Sequence, residues 1–167
     1  MALIHLIEGP IGAGKSTYAR ALGDRLGAPY FCLDEWIARL FIPDRPPGAD
    51  AAWYLARKDR CVEQICDVAL AVLRAGKDVV LELGLLRSAD RASLYEWADE
   101  AGFEVRVYVL DAPLHIRRER IRLRNLERGP TWSVDVTEEM FERSSGWWEP
   151  PDDTEYATRT ILDIEQA

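Results

Sequence analysis

The chain has 167 residues, 48% of them hydrophobic, enough to bury one sizeable core and to form a single domain over residues 1–167. Its 21 basic and 29 acidic residues leave a net charge of −8, which sets the molecule as a whole against nucleic acid and anionic membrane surfaces, so any polyanion must bind locally. No apolar run approaches the roughly 20 residues of a membrane span, no charged and then apolar leader opens the sequence, and Cys32, Cys61 and Cys66 lack paired metal-ligand spacing; a reduced, cytoplasmic setting with buried cysteines is expected.

Leu3 to Ile7 reads as a buried strand and Ser16 to Leu26 as an amphipathic helix. Between them runs Gly9-Pro10-Ile11-Gly12-Ala13-Gly14-Lys15-Ser16-Thr17, which fits G-x-x-x-x-G-K-[ST] at every fixed position. The chemistry requires these types: Gly9, Gly12 and Gly14 let backbone N–H groups turn inward around an anion, Lys15 reaches outer phosphates, and the Ser16 hydroxyl can ligate Mg²⁺. The helix N-terminus, carrying Ala13 to Thr17 at its opening, adds about half a positive charge at the same spot. A nucleotide site follows, with ATP and Mg²⁺ as its expected ligands.

Pro29 to Leu33 is a short strand ending at Asp34-Glu35. Ligands of open α/β sheets lie outside the carboxyl ends of strands, so Asp34 is a candidate catalytic acid; it would equally cap a helix beginning at Glu35. A helix over Trp36 to Phe41 gives way to a Pro43–Gly48 loop able to cover a site. Residues 51–75 carry the longest helical pattern, stopped by Gly76. Trp36, Arg39, Trp53 and Tyr54 follow Asp34 closely enough to line an acceptor pocket; filling the core is the other role open to the two aromatics of the long helix. Asp78 to Leu83 is a nearly continuous apolar strand interrupted by Glu82, either a holder of the Mg²⁺ shell or a strand-end residue satisfied locally.

Arg87 to Ala101 is a helix closed by Gly102, Phe103 to Leu110 a strand, and Asp111-Ala112-Pro113 opens a further helix. Six arginines fall between Arg117 and Arg128; at 100° per residue Arg117, Arg120, Arg124 and Arg128 share an arc of roughly 80°. That stripe is either a clamp on a transferring phosphoryl group or a solvated face paired with Glu119 and Glu127. Thr137 caps another helix, Trp147 to Asp153 reads as a loop, and Ala157 to Ile164 offers a last strand. The order βαβααβαβααβ argues for a doubly wound parallel sheet of about five strands flanked by helices.

The phosphate loop, the Leu33-Asp34-Glu35 strand end, Val79-Val80-Leu81-Glu82, and Leu110-Asp111-Ala112-Pro113 followed by Arg120 and Arg124 together resemble the small P-loop kinases. These are the chloramphenicol phosphotransferase-like, polynucleotide kinase-like and zeta toxin-like proteins grouped as AAA-type ATP-binding proteins. The resemblance implies a P-loop NTPase fold with an Arg-bearing helical lid at approximately residues 114–135. It implies Asp34 as general base and Arg120 and Arg124 as lid arginines. Family members carry Asp where this chain has Glu82, and polynucleotide kinase relatives carry an Arg soon after the acid, where the nearest here is Arg39. The expected activity is Mg·ATP-dependent phosphorylation of a hydroxyl on a small molecule, by a monomer or homodimer with no membrane partner. The alternatives are a kinase of polynucleotide ends or nucleotide sugars, with nucleic acid disfavoured by the −8 charge, and a nucleotide-binding switch without an acceptor.

Overall fold

A computed structural model describes residues 1–130 and 132–165 of the chain. In chain order its elements are β1 (Leu3–Glu8), α1 (Lys15–Leu26), β2 (Tyr30–Cys32), α2 (Leu33–Leu40), a 3₁₀ turn (Ile42–Asp44), α3 (Ala51–Arg74), β3 (Val79–Glu82), α4 (Ser88–Ala101), β4 (Glu104–Leu110), α5 (Leu114–Glu127), α6 (Glu138–Trp147), α7 (Asp153–Thr158) and β5 (Thr160–Ile164). The strands form one sheet in the order β2-β3-β1-β4-β5, parallel throughout. Leu6 of β1 lies beside Leu81 on one side and Val107 on the other. The chain leaves β1 toward one edge, returns through β3, and then builds outward on the opposite side. The order therefore reverses beside β1, and a crevice opens at the carboxyl ends of the strands there.

Parallel strands covered on both faces must be apolar on both. Alternate residues accordingly feed two cores. Ile4, Leu6, Val79, Leu81, Val105 and Val107 pack with Leu33 and Ile37 of α2, Ile65, Ala69 and Leu73 of α3, and Leu94 and Ala98 of α4. On the other face Ile7, Val80, Tyr108 and Leu110 pack with Ala19 and Leu22 of α1. His5 points to this second face, where its Nδ1 and the Tyr108 hydroxyl are 2.9 Å apart and its Nε2 lies 3.3 Å from Asp78. All three cysteines are free and buried, as small apolar side chains.

Two elements differ from the sequence expectation. Helix α2 begins at Leu33, with Cys32 as N-cap, so Asp34 stands inside the first helical turn and caps nothing. Helix α7 falls where a loop and the start of a strand were expected. The Asp152 side chain accepts from the Glu155 N–H at 2.9 Å, and a cap of that kind suffices for six residues too short to show a 3.6-residue period.

The acidic C-terminal segment is fastened by a buried cation. Arg91 of α4 is fully buried; its Nε and Nη2 donate to the Glu155 carboxylate at 2.8 and 2.6 Å, and its Nη1 donates to the Glu149 carbonyl at 2.9 Å. The Tyr95 hydroxyl donates to the same carboxylate at 3.1 Å. Such a pair is costly to break one partner at a time, because the survivor is left charged and buried. Arg91→Leu should therefore lower unfolding stability by about 3–5 kcal/mol in urea titrations, whereas Glu119→Gln, which breaks only the exposed Arg122–Glu119 pair on α5, should leave the midpoint unchanged.

Candidate functional site

The residues of the phosphate loop are dictated by how closely three backbone segments meet. Gly9, Gly12 and Gly14 all have positive φ, at 144°, 78° and 91°. A Cβ at Gly9 would stand 2.1 Å from the Leu110 carbonyl oxygen at the end of β4, and one at Gly12 would stand 2.6 Å from the Arg117 carbonyl oxygen of α5. Any side chain at either position would push β4 or α5 away. Gly14 is the left-handed N-cap of α1, so the loop delivers the chain directly to a helix start, where N–H groups remain for an anion. The Lys15 ammonium is folded back over the loop and donates to the Gly9 and Pro10 carbonyls at 2.8 and 3.0 Å.

Beside Lys15 the structure joins two residues far apart in sequence. The Ser16 hydroxyl donates to Glu82 Oε1 at 3.0 Å, and the Tyr30 hydroxyl donates to Glu82 Oε2. Burial pushes the Glu82 carboxyl above the usual carboxylate range, with Asp34 adding to the rise and Lys15 opposing it. A hydroxyl and a carboxylate oxygen are the hard donors that suit Mg²⁺, which takes one or two protein oxygens and completes its shell with phosphates and water. Among the described residues no group of three or more His, Cys, Asp or Glu side chains could hold a metal alone. Ser16 and Glu82 therefore fit a metal that arrives with a nucleotide.

Asp34 is exposed at the start of α2, and among the described residues no hydrogen bond occupies its carboxylate. Its charge acts on Glu82, on Tyr54 of α3 and on Arg124 of α5, which places the strand-end acid between the metal-binding pair and an arginine. Arg124 is half-buried, and its Nε has no hydrogen-bond partner. Burial pulls this guanidinium below its usual range, while Asp34 and Glu82 oppose the fall. Arg120, one turn earlier on α5, is also half-buried.

The four-membered stripe expected on α5 is divided. Arg117 is buried and structural: its Nε donates to the Ala112 carbonyl at 3.0 Å, and its Nη1 donates to the Ile11 carbonyl and the Ser145 hydroxyl, both at 3.1 Å. Arg128 stands past the helix end with φ 46° and pairs with Asp135 at 2.9 Å. Arg120 and Arg124, the other two members, are both half-buried. Neither Glu119 nor Glu127 neutralises the stripe; Glu119 pairs with Arg122 instead. Ile121, Val136 and Phe141 form a small core that Ile11 of the phosphate loop joins, so α5 and α6 are seated on the loop itself.

Of the residues expected to line an acceptor pocket, Trp36 is turned inward, edge-on to Phe31 with ring centroids 6.3 Å apart and packed on the main core. Arg39 and Tyr54 are exposed and Trp53 half-buried. Sequence reasoning passed over Tyr30, which braces Glu82, and Glu8, the last residue of β1. Glu8 is wholly buried, and neither carboxyl oxygen has a hydrogen-bond partner among the described residues. Burial pushes it up to about 8 against the pull of Lys15 and Arg91. The signal available in the sequence was a lone acid closing an apolar strand directly before the first loop glycine.

A family model described as an AAA domain matches residues 4–151. An adenylate kinase of Pyrococcus furiosus is 33% identical over 79 residues, 46% of this chain and 36% of its own length. A shikimate kinase of Alteromonas mediterranea is 34% identical over 79 residues, 42% of this chain and 43% of its own length. The chain thus spans less than half the length of these relatives. Among solved structures, a candidate kinase of Chloroflexus aurantiacus superposes with a TM-score of 0.74 at 19% identity, covering 98% of this chain and 87% of that one. A likeness at that identity is one of fold.

The buried acid gives the site a measurable pH signature. The folded protein holds the Glu8 proton to about pH 8, whereas the unfolded chain releases it near its ordinary value of 4.5. Stability from this group is thus complete below the unfolded value and is lost as pH rises through the window toward 8. Glu82, also raised, acts with the same sign. Glu8→Gln should gain stability relative to the natural protein at pH 8 compared with pH 5, read as the shift in urea midpoint. Equal shifts at the two pH values would mean that Glu8 is already ionised in the fold.

Proposed function

Because this chain belongs to the AAA domain family, matched over residues 4–151, and has the fold of the small P-loop kinases, we propose that it transfers a phosphoryl group from Mg·ATP to a hydroxyl of a small molecule. The observation that carries this reading is the placement of Asp34. An exposed carboxylate, with no hydrogen-bond partner among the described residues, acts electrostatically on both Glu82 and Arg124 at the end of the sheet that the phosphate loop borders. A nucleotide switch has no need of such an acid.

In this reading the N–H groups from Gly12 to Ser16 and the Lys15 ammonium hold the β and γ phosphates. Lys15 exchanges its two carbonyl contacts for phosphate oxygens, a charge-assisted replacement of neutral hydrogen bonds. Ser16 and Glu82 would hold Mg²⁺, which would supply charge neutralisation when bound. Asp34 accepts the proton of the acceptor hydroxyl as the oxygen attacks, and Arg124 and Arg120, within a lid of approximately residues 114–135, meet the charge spread over the transferring oxygens. The shikimate kinase relative supports a hydroxyl acceptor, and the net charge of −8 favours a small acceptor over a polynucleotide end.

Two substitutions test the assignment. Lys15→Ala should remove ATP turnover and most nucleotide affinity while the protein remains folded, because the hydrogen bonds of the ammonium go to two loop carbonyls and none goes to the core. Asp34→Asn should keep nucleotide affinity and lower transfer by about 10²–10⁴, measured as phosphorylated product by mass detection across a panel of hydroxylated metabolites. Preserved transfer in the Asn variant would remove Asp34 from the chemistry.

A further inference from the structure

We propose that the corner formed by the end of α2, the 3₁₀ turn and the first turns of α3 is an oxyanion subsite of the acceptor pocket, so that the acceptor carries a phosphate or carboxylate besides the hydroxyl it presents to Asp34. The inference rests on the phosphotransferase reading of the same cleft. Three guanidinium groups meet two aromatic rings there. Arg57 lies 4.0 Å over the Trp53 ring and 5.9 Å from that of Phe41, Arg45 lies 5.9 Å from Trp53, and Arg60 lies 5.6 Å from Phe41.

Their hydrogen bonds go to backbone carbonyls alone. Arg57 donates to the Trp53 carbonyl at 2.9 Å, Arg60 to the Ala56 carbonyl at 3.2 Å, and Arg45 to the Ala49 carbonyl at 2.9 Å. Among the described residues none of the three forms an ion pair, although arginines elsewhere pair with carboxylates: Arg20 with Glu35, Arg91 with Glu155, Arg118 with Glu138 and Glu142, Arg122 with Glu119, Arg128 with Asp135 and Arg159 with Asp99. In a protein with eight more acidic than basic groups, these three cations, gathered on two rings, form a local positive patch. The nearest acids in sequence do not cancel them. Asp50 is engaged in capping α3 through the Trp53 N–H at 3.0 Å, and among the described residues Asp44, Asp59 and Glu63 make no ion pair.

Stacking explains why these side chains suit recognition. A guanidinium is weakly hydrated and planar; held flat on a ring, it keeps edge N–H groups pointing outward in a fixed fork that matches an oxyanion. The position suits the chemistry as well. Trp53 adjoins Tyr54, whose hydroxyl is within electrostatic reach of Asp34, so an anion seated on Arg57 belongs to a molecule whose other end lies at the general base. One compact cluster on an acidic protein fits a small anionic metabolite. A polynucleotide would call for cations repeated along a strand.

The test uses the whole chain saturated with Mg·AMP-PNP, which fills the phosphate loop including the outermost phosphate position, and titrates inorganic phosphate and malonate by calorimetry. Saturable binding of either probe is expected, weakened about tenfold or more in Arg57→Gln/Arg60→Gln, with AMP-PNP affinity unchanged. Binding of phosphate alone indicates a phosphorylated acceptor, and binding of malonate alone a carboxylated one. Absence of binding for both probes, or equal binding in the natural and double-variant proteins, would overturn the subsite. So would a 5′-hydroxyl oligonucleotide that binds where neither small anion does. If the double variant does not fold, the exposed Arg60→Gln carries the same comparison. Failure of AMP-PNP to bind the natural protein would sink the phosphotransferase reading instead; Lys15→Ala protein, whose loop no longer competes for the probes, then reads the corner by itself.

Discussion

The geometry of the whole site depends on two places where backbone meets backbone without room for a side chain. Gly9 lies against the Leu110 carbonyl and Gly12 against the Arg117 carbonyl, so the phosphate loop is wedged between the end of β4 and the body of α5. The wedge fixes the loop relative to the central strand, since β1 and β4 are in register over their full length. It also fixes α5, because the buried Arg117 guanidinium reaches back to the Ile11 carbonyl of the same loop. A displacement of α5 would therefore be felt at the phosphate-binding amides. The arginines one and two turns further along α5 inherit that coupling, and this is how a helix after the fourth strand comes to serve a loop after the first.

Around the wedge, acidic and basic groups alternate. Arg91 pairs with Glu155, the fully buried Glu8 is within the influence of both Arg91 and Lys15, and Glu82 is within that of Lys15 and Asp34, which also acts on Arg124. Such an arrangement spreads the cost of burying any single charge over its neighbours. It also means that drawing the Lys15 charge toward a phosphate removes a stabilising influence from both Glu8 and Glu82 at once. The Ser16 and Tyr30 hydroxyls already donate to Glu82, so that carboxylate is held in place before any metal arrives, an orientation that need not be assembled during turnover.

The fold was largely legible in the sequence because its strongest signals are local. Apolar strands, glycine stops after helices and the complete phosphate-loop pattern all act over a few residues, and the five strands appear within a few positions of where periodicity puts them. Ser16 and Glu82 were each singled out in the sequence, but the hydrogen bond that joins them across 66 residues was not. Tertiary satisfaction of charge was not legible. Periodicity puts Arg117, Arg124 and Arg128 on one arc, yet Arg117 is consumed by loop carbonyls and Arg128 by Asp135, and neither contact can be inferred from helical spacing. Nothing in helical spacing marks Arg91 as buried, because its partner lies 64 residues away in α7, the helix too short to show itself. Glu8 was hidden by the opposite effect: an apolar strand ending in one acid reads as an edge reaching solvent, whereas the residue is fully buried.

The longest helix shows how the same chain serves both core and cleft. Every fully buried residue of α3, namely Cys61, Ile65, Cys66, Ala69 and Leu73, lies beyond its tenth residue, where the spacing of three and four residues keeps one face on the sheet. The first ten residues contribute nothing fully buried and extend beyond the layer that the sheet needs. They are also the residues that hold Trp53, Tyr54, Arg57 and Arg60 over the 3₁₀ turn and toward Asp34. Substitution in that half changes little of the core's packing, so its composition is open to being set by whatever molecule occupies the cleft. The phosphate loop is constrained residue by residue by backbone contact, whereas the first turns of α3 are constrained only by the surface they present; under the phosphotransferase reading proposed above, the acceptor's chemistry would be set in those turns rather than in the phosphate loop.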